Sequence, residues 1–283
     1  MKEPGIHLPV LLASFFCLMP LCVASGGLKP EDLVAKHLAA IGTPEARGAL
    51  KTRVAQGEAV CKVVVGGGGQ IVGTTGMVSD GRKQRFVMKF QQNYRGENFL
   101  FNGDKISIGF SNSDETRSGL ASLVYAQDAI LKEGLWGGVL STGWALLDVS
   151  GRQPKLTYDG LKKVDGRELH RITYQPRKGT DLKIQLFFEP DTFRHVMTSY
   201  ALEVGNNVGR TVVESASLRA DRTTLEERFD TFSTVDGVTL PTHWSFQFTR
   251  ELPSGKTTIF NWDLKEDNIQ QNVTLDQRNF EIK

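Results

Sequence analysis

Five Asp-Gly or Asn-Gly dipeptides punctuate this chain, at Asp80-Gly81, Asn102-Gly103, Asp159-Gly160, Asp165-Gly166 and Asp236-Gly237. Such pairs supply the positive φ that two-residue hairpin turns demand. Between them apolar residues alternate: Phe86, Met88 and Phe90, then Ile106, Ile108 and Phe110, then Trp244, Phe246 and Phe248, then Phe260, Trp262 and Leu264. A period of two places each row on one face of a half-buried strand. Parallel βαβ topology needs long crossovers, which tight turns do not provide. The fold class predicted is mainly β with short helices, built on an antiparallel meander of about ten to twelve strands. Val-Asp-Gly-x-x-Leu occurs from Val164 and again from Val235, but the flanks do not match. That repetition reads as shared hairpin chemistry, not as a duplicated domain.

The N-terminus has the pattern of an export signal. Leu8 to Ala24 is uncharged and rich in Leu, Phe and Val, and Val23-Ala24-Ser25 offers small residues where a signal peptidase reads. Glu3 cancels Lys2, so the basic n-region is weak, and the stretch is long enough for an uncleaved anchor to remain the alternative. The expected organisation is a signal over residues 1–25 and a single domain over 26–283, in a periplasmic or secreted setting. Cleavage removes Cys17 and Cys22 and leaves Cys61 alone, which excludes an internal disulfide and a Cys-based zinc site. Cys61, in the Val-rich run from Val60 to Val65, reads as a small buried hydrophobe.

Helices are expected in two places. Residues 28–51 carry Pro30 at a helix start, Glu31 and Asp32 in the first turn, and an apolar stripe of Leu33, Val34, His37, Leu38 and Ile41 ended by Gly42. Residues 114–149 lack alternation and form a helical insertion. Its uncharged run from Gly134 to Leu147 is too short for a membrane span, which needs about 18 residues, yet its two tryptophans are costly to leave in water. Two readings stand open for it: a mobile apolar flap over a concave sheet, or a helix pair that closes the core.

Charge and chemistry exclude several function classes. Lys+Arg 34 against Asp+Glu 32 leaves +2, too little field to draw nucleic acid or anionic lipid. The chain has no G-x-S-x-G elbow, no H-E-x-x-H and no P-loop; Gly66 to Gly69 is flanked by Val63-Val64-Val65 and Ile71-Val72 and reads as a hairpin loop. His170, His195 and His243 each stand alone in a strand, and Glu226 and Glu227 point to opposite faces. Neither a metal, a cofactor nor an enzymatic activity is expected.

The order of elements resembles the LolA/LolB-like lipoprotein-carrier superfamily, the outer-membrane lipoprotein-sorting proteins. The local residues that carry the resemblance are Gly73-Thr74-Thr75-Gly76-Met77 with Arg82-Lys83-Gln84-Arg85-Phe86, the run from Val164 to Pro176, Ile184 to Thr192, and Phe232 to Pro241. The match spans about residues 53–250. It implies an unclosed half-barrel whose mouth is covered by a helical lid, and a cavity between them for acyl chains. Carried onto this chain, the lid contributes Leu123, Leu135, Trp136, Leu140 and Trp144. The wall draws on Phe86, Met88, Phe90, Phe99, Phe101, Phe187, Trp244 and Phe246, and Arg85, with Arg82 as the alternative, is the strand arginine that latches the lid. The expected function is a non-catalytic periplasmic carrier or binder of lipids or lipidated proteins, acting as a monomer. The alternative is an envelope protein-interaction or sensor module on the same scaffold, with a protein partner.

Overall fold

The computed structural model describes Met1 and residues 27–91, 94–112, 117–205 and 220–282. The expected signal over residues 1–25, Met1 apart, and positions 114–116 of the expected insertion lie outside the described residues.

Two helices open the described chain, α1 (Pro30–Ile41) and α2 (Pro44–Ala49). Both have proline in the first turn, where its missing N–H is harmless, and the Thr43 hydroxyl caps α2 by accepting from the Ala46 amide. Strands β1 (Thr52–Val65), β2 (Gln70–Asp80), β3 (Lys83–Phe90), β4 (Tyr94–Phe101) and β5 (Ile106–Asn112) follow. The insertion comes next, and then β6 (Lys155–Val164), β7 (Arg167–Gln175), β8 (Lys183–Phe188) and β9 (His195–Val204). Strands β10 (Asp221–Val235), β11 (Val238–Glu251) and β12 (Thr257–Gln271) complete the set.

All twelve strands lie in one antiparallel sheet, ordered β5-β4-β3-β2-β1-β12-β11-β10-β9-β8-β7-β6. Every neighbouring pair is consecutive in sequence except β1 and β12, which pair from Arg53↔Gln271 onward. The fold is thus two meanders joined through their first and last strands, with β5 and β6 as open edges. The sheet is not closed into a barrel.

Four of the five dipeptides form the expected hairpins. At Asp165-Gly166 and Asp236-Gly237 both residues have positive φ (48° and 82°, 47° and 77°), the signature of the mirror-image turn that matches strand twist. Asp159-Gly160 is a correction: it lies inside β6, where the register against β7 shifts between Tyr158 and Leu161, and it forms a bulge. The Asp159 carboxylate is held there by the Arg171 guanidinium (3.0 Å) and the Thr173 hydroxyl (2.6 Å).

The insertion is less helical than its sequence suggests. It contains α3 (Gly119–Ala126), α4 (Ala129–Lys132), α5 (Val149–Arg152) and tight turns over Gly138–Leu140 and Ala145–Asp148. Gly134 adopts φ +67°, and a side chain there would strike the Gly143 carbonyl oxygen at 1.8 Å. That close approach folds the run from Leu135 to Trp144 into a compact wedge, which fills the concave face of the sheet. Trp136 lies at its centre, fully buried, with ring centroids 5.4 Å from Phe86, 5.4 Å from Phe99, 5.2 Å from Trp244 and 5.0 Å from Phe246, all near edge-to-face. The reading in which the insertion closes the core describes this state.

Removing that ring leaves a cavity that four strand aromatics cannot collapse into. Trp136→Ala should cost about 3–5 kcal/mol of unfolding free energy, read as a lower urea midpoint at unchanged slope. A loss below about 1 kcal/mol would show that the ring is not packed as described.

Candidate functional site

The wedge is irregular backbone, and its polar groups need partners under the lid. Side chains of the sheet and of α1 supply several of them. The Gly137 amide donates to Glu227 Oε1 (2.8 Å) and the Tyr200 hydroxyl to Glu227 Oε2 (2.7 Å). Arg53 donates to the Val139 carbonyl and to Gln271 Oε1 (3.2 Å). The Thr142 amide donates to Ser79 Oγ (3.0 Å), and the Trp144 indole to His37 Nε2 (3.1 Å). His37 in turn donates from Nδ1 to the Phe193 carbonyl (3.0 Å), so both nitrogens of the neutral ring are used.

Burial pushes the Glu227 carboxyl up to about 8, against the opposing pull of its donors Tyr200 and Gly137. Burial also lowers His37 to about 4 and holds His195, packed 6.2 Å from it, well below the ordinary histidine range.

At one end the sheet outreaches the lid. There the last residues of β1, the first of β2, the start of β12 and the N-terminus of α3 surround an open groove of about 740 Å³. Its walls are Val63, Ile71, Leu120, Phe260, Trp262 and Cys61, with glycines Gly68, Gly69 and Gly119 at the rim. The volume falls within the usual range of ligand pockets, about 300–1,000 Å³. Cys61 lies buried in this wall, and burial pushes its thiol up to about 12. It is a packing group there, not a nucleophile.

Tyr94, Ser111 and Ser118 give the groove one polar corner. Behind it stands Glu97, fully buried, accepting from the hydroxyls of Ser118 (2.6 Å), Tyr94 (2.8 Å) and Ser111 (3.2 Å). Ser118 also caps α3 through the Ala121 amide (2.9 Å). Burial raises the Glu97 carboxyl to about 7. Phe110 and Ser111 reach this arrangement with φ of 70° and 69°, a left-handed conformation that non-glycine residues adopt at a cost.

Of the residues expected at a ligand site, Phe86, Met88, Phe90, Phe99, Phe101, Leu123, Leu135, Trp136, Leu140, Trp144, Trp244 and Phe246 share one buried cluster. They are brought together as anticipated, but they fill the space between sheet and lid themselves. None of them lines the groove. Phe187 is a correction: Leu186 and Phe188 point into the main cluster, so Phe187 points away and packs with Leu169, Val196 and Met197 in a separate one. Arg85 is a second correction. Its Nε donates to Asn98 Oδ1 (2.9 Å) on the neighbouring strand, and the strand arginine that reaches the wedge is Arg53. The alternative, Arg82, touches the insertion at the Lys132 carbonyl (3.3 Å).

No family model and no curated protein matches the chain. Solved structures similar to it include a DUF1329-family protein from Desulfovibrio piger, 15% identical with a TM-score of 0.47, covering 90% of this chain and 98% of that one. A LolA-superfamily protein from Nitrosomonas europaea is 14% identical, with a TM-score of 0.46, over 90% of this chain and 99% of its own. A Vibrio parahaemolyticus domain described as an outer membrane lipoprotein-sorting protein is 10% identical, with a TM-score of 0.42, over 89% and 97%. No helix of the described residues is long and apolar enough to cross a membrane.

The buried groups set the pH dependence of stability. His37 and His195 titrate lower folded than unfolded, so the unfolded chain binds more protons and stability falls as pH drops from about 6.5 towards 4. Glu97, Glu227 and Glu266 are raised to about 7, 8 and 7, so the folded chain holds more protons and stability falls as pH climbs from about 4.5 to 8. Urea midpoints should therefore peak between about pH 4.5 and 6.5, and Glu227→Gln should flatten the alkaline side. A midpoint still rising from pH 6.5 to 8 would contradict this.

The two arginines should separate cleanly. Arg53→Met strands the Val139 carbonyl and should destabilise by about 1–3 kcal/mol, whereas Arg85→Met should cost less than about 1 kcal/mol. Equal losses in urea titrations would show that Arg53 is no special anchor of the lid.

Proposed function

We propose that this chain is an exported, non-catalytic binder or carrier that shelters an acyl chain of a lipid or lipidated protein, working in the periplasm once its leader is removed. The observation that carries the reading is the open groove beside α3, walled by Val63, Ile71, Leu120, Phe260 and Trp262. Each methylene moved from water into such a wall gains about 0.8 kcal/mol, enough for a chain of several carbons to be held without a covalent bond. The groove's thiol is raised by burial, and its three hydroxyls are spent on Glu97, which fixes α3.

Entry begins at the groove, which is open to a ligand in this state of the lid. The cluster beneath Trp136 and Trp144 becomes a ligand wall if the wedge leaves the sheet, which requires the Glu227, Arg53 and His37 contacts to open together. Ligand length then decides how far the lid is displaced.

An environment-sensitive fluorescent fatty acid, titrated into the purified protein, should gain signal saturably, and native mass spectrometry should show co-purified lipid. Ile71→Arg and Val63→Arg place a charge in the half-buried wall and should weaken binding at least about tenfold, or 1.4 kcal/mol, while Phe187→Ala on the opposite face leaves it unchanged. No fluorescence gain and no co-purified lipid would sink the reading. Capture of one stoichiometric protein from envelope extract without lipid would favour the interaction-module alternative.

A further inference from the structure

A second cleft lies at the other end of the lid, between α2, the β2–β3 turn and α5. It has a volume of about 410 Å³, and three guanidinium groups line it: Arg47 from α2, Arg82 from the turn and Arg152 from the end of α5. None of the three has a carboxylate within ion-pair distance among the described residues.

Arg152 is the telling member. Its residue is only 6% exposed, yet its side chain meets carbonyls alone: Nη1 donates to Lys132 (2.9 Å) and Nη2 to Gly143 (2.8 Å). Its Nε is buried with no partner. Arg82 leans on the same Lys132 carbonyl (3.3 Å), so two like charges share one neutral acceptor. Arg47 spends its Nε on the Gly42 carbonyl (3.1 Å). Two acids, Glu133 and Asp148, favour the Arg152 charge from a distance without forming an ion pair with it. Asp148, which lines the cleft, accepts from the Gly151 amide (3.0 Å), and Glu133 accepts from the Tyr174 hydroxyl (2.7 Å).

A buried cation with no carboxylate in direct contact gains from an anion placed on its open side. Each guanidinium carries five N–H donors in a planar fork suited to oxyanions, and most of them are unspent here. Three forks reaching one cleft from three separate elements suit a compact, multiply charged, tetrahedral anion better than a planar carboxylate, which one fork already saturates. We propose that this cleft is a binding site for a phosphate group, presented either as a free phosphate or as the phosphomonoester head of a lipid. The site stands apart from the acyl groove and does not depend on that reading. A bound phosphate would also tie α2 and the β2–β3 turn to the lid end, because Arg152 holds the lid carbonyls at Lys132 and Gly143.

Isothermal titration calorimetry of the full chain at low ionic strength tests the site, with inorganic phosphate as probe, sodium chloride at matched ionic strength and acetate as controls, and a soluble short-chain phosphatidic acid as a second ligand. Saturable phosphate binding is expected, weakened at least fivefold in Arg82→Gln and in Arg47→Gln. Arg82 is exposed, so its variant should melt at the wild-type temperature without phosphate, which separates lost binding from lost fold. Ile71→Arg, in the distant groove, should leave phosphate binding unchanged. Binding of both phosphate and phosphatidic acid assigns recognition to the phosphate group itself; binding of phosphatidic acid alone assigns it to a lipid head. Failure of both ligands, equal effects of acetate or chloride, or wild-type affinity in both arginine variants would overturn the proposal.

Discussion

The indole of Trp136 touches Phe86 and Phe99 on one meander and Trp244 and Phe246 on the other. These strands do not adjoin: β3 and β11 are separated in the sheet by β2, β1 and β12. An open twelve-stranded sheet has no internal means of burying its concave face, and hydrogen bonds along the strands do not resist its flattening. The Trp136 ring, set against Phe86 and Trp244, which themselves meet at 5.0 Å across the concave face, does. The curvature of the sheet, the burial of the lid and the position of the remaining opening all follow from that wedge.

Filling a concave face with irregular backbone creates a second requirement, because each amide or carbonyl carried under the lid must find a partner there. Glu227, Arg53, Ser79 and His37 meet it from the sheet and from α1. Their charges and lone pairs are costly to bury, which is why Glu227 rises to about 8 and His37 falls to about 4. The lid is therefore held by groups whose protonation depends on their burial. Opening it would restore ordinary values to several of them at once, so lid opening and proton exchange are coupled.

Much of this fold was legible because alternation and turn chemistry are local. Phe86, Met88 and Phe90 announce their face by spacing alone, and four of five Asp-Gly or Asn-Gly pairs make the turns they advertise. Asp159-Gly160 departs because the same positive φ serves a bulge as well as a turn, and only pairing distinguishes them. Phe187 was misplaced because three consecutive residues, Leu186, Phe187 and Phe188, are all apolar, so period two cannot say which points inward. The polar anchors did leave a signal. Glu227 sits between Leu225 and Phe229, and Glu97 precedes Phe99 and Phe101, each at the inward-facing parity. A charge at that parity marks a buried partner, and only the fold shows that the partner is the lid.

The groove exists because strand length and lid length are mismatched. Strands β1 and β12 run 14 and 15 residues, and the wedge meets β1 where Arg53 donates to the Val139 carbonyl. Beyond it, Val63, Phe260 and Trp262 continue the same inward-facing rows, and Leu120 of α3 shares the groove with them. On the proposed function, an acyl chain laid along those rows would extend the hydrophobic core and end against α3, whose first turn is fixed by Ser118 and Glu97. Such a ligand and the lid would then compete for one continuous apolar surface. The boundary between them lies at α3, where the Glu97 carboxyl, raised to about 7, binds hydroxyls from β4, β5 and the lid helix together.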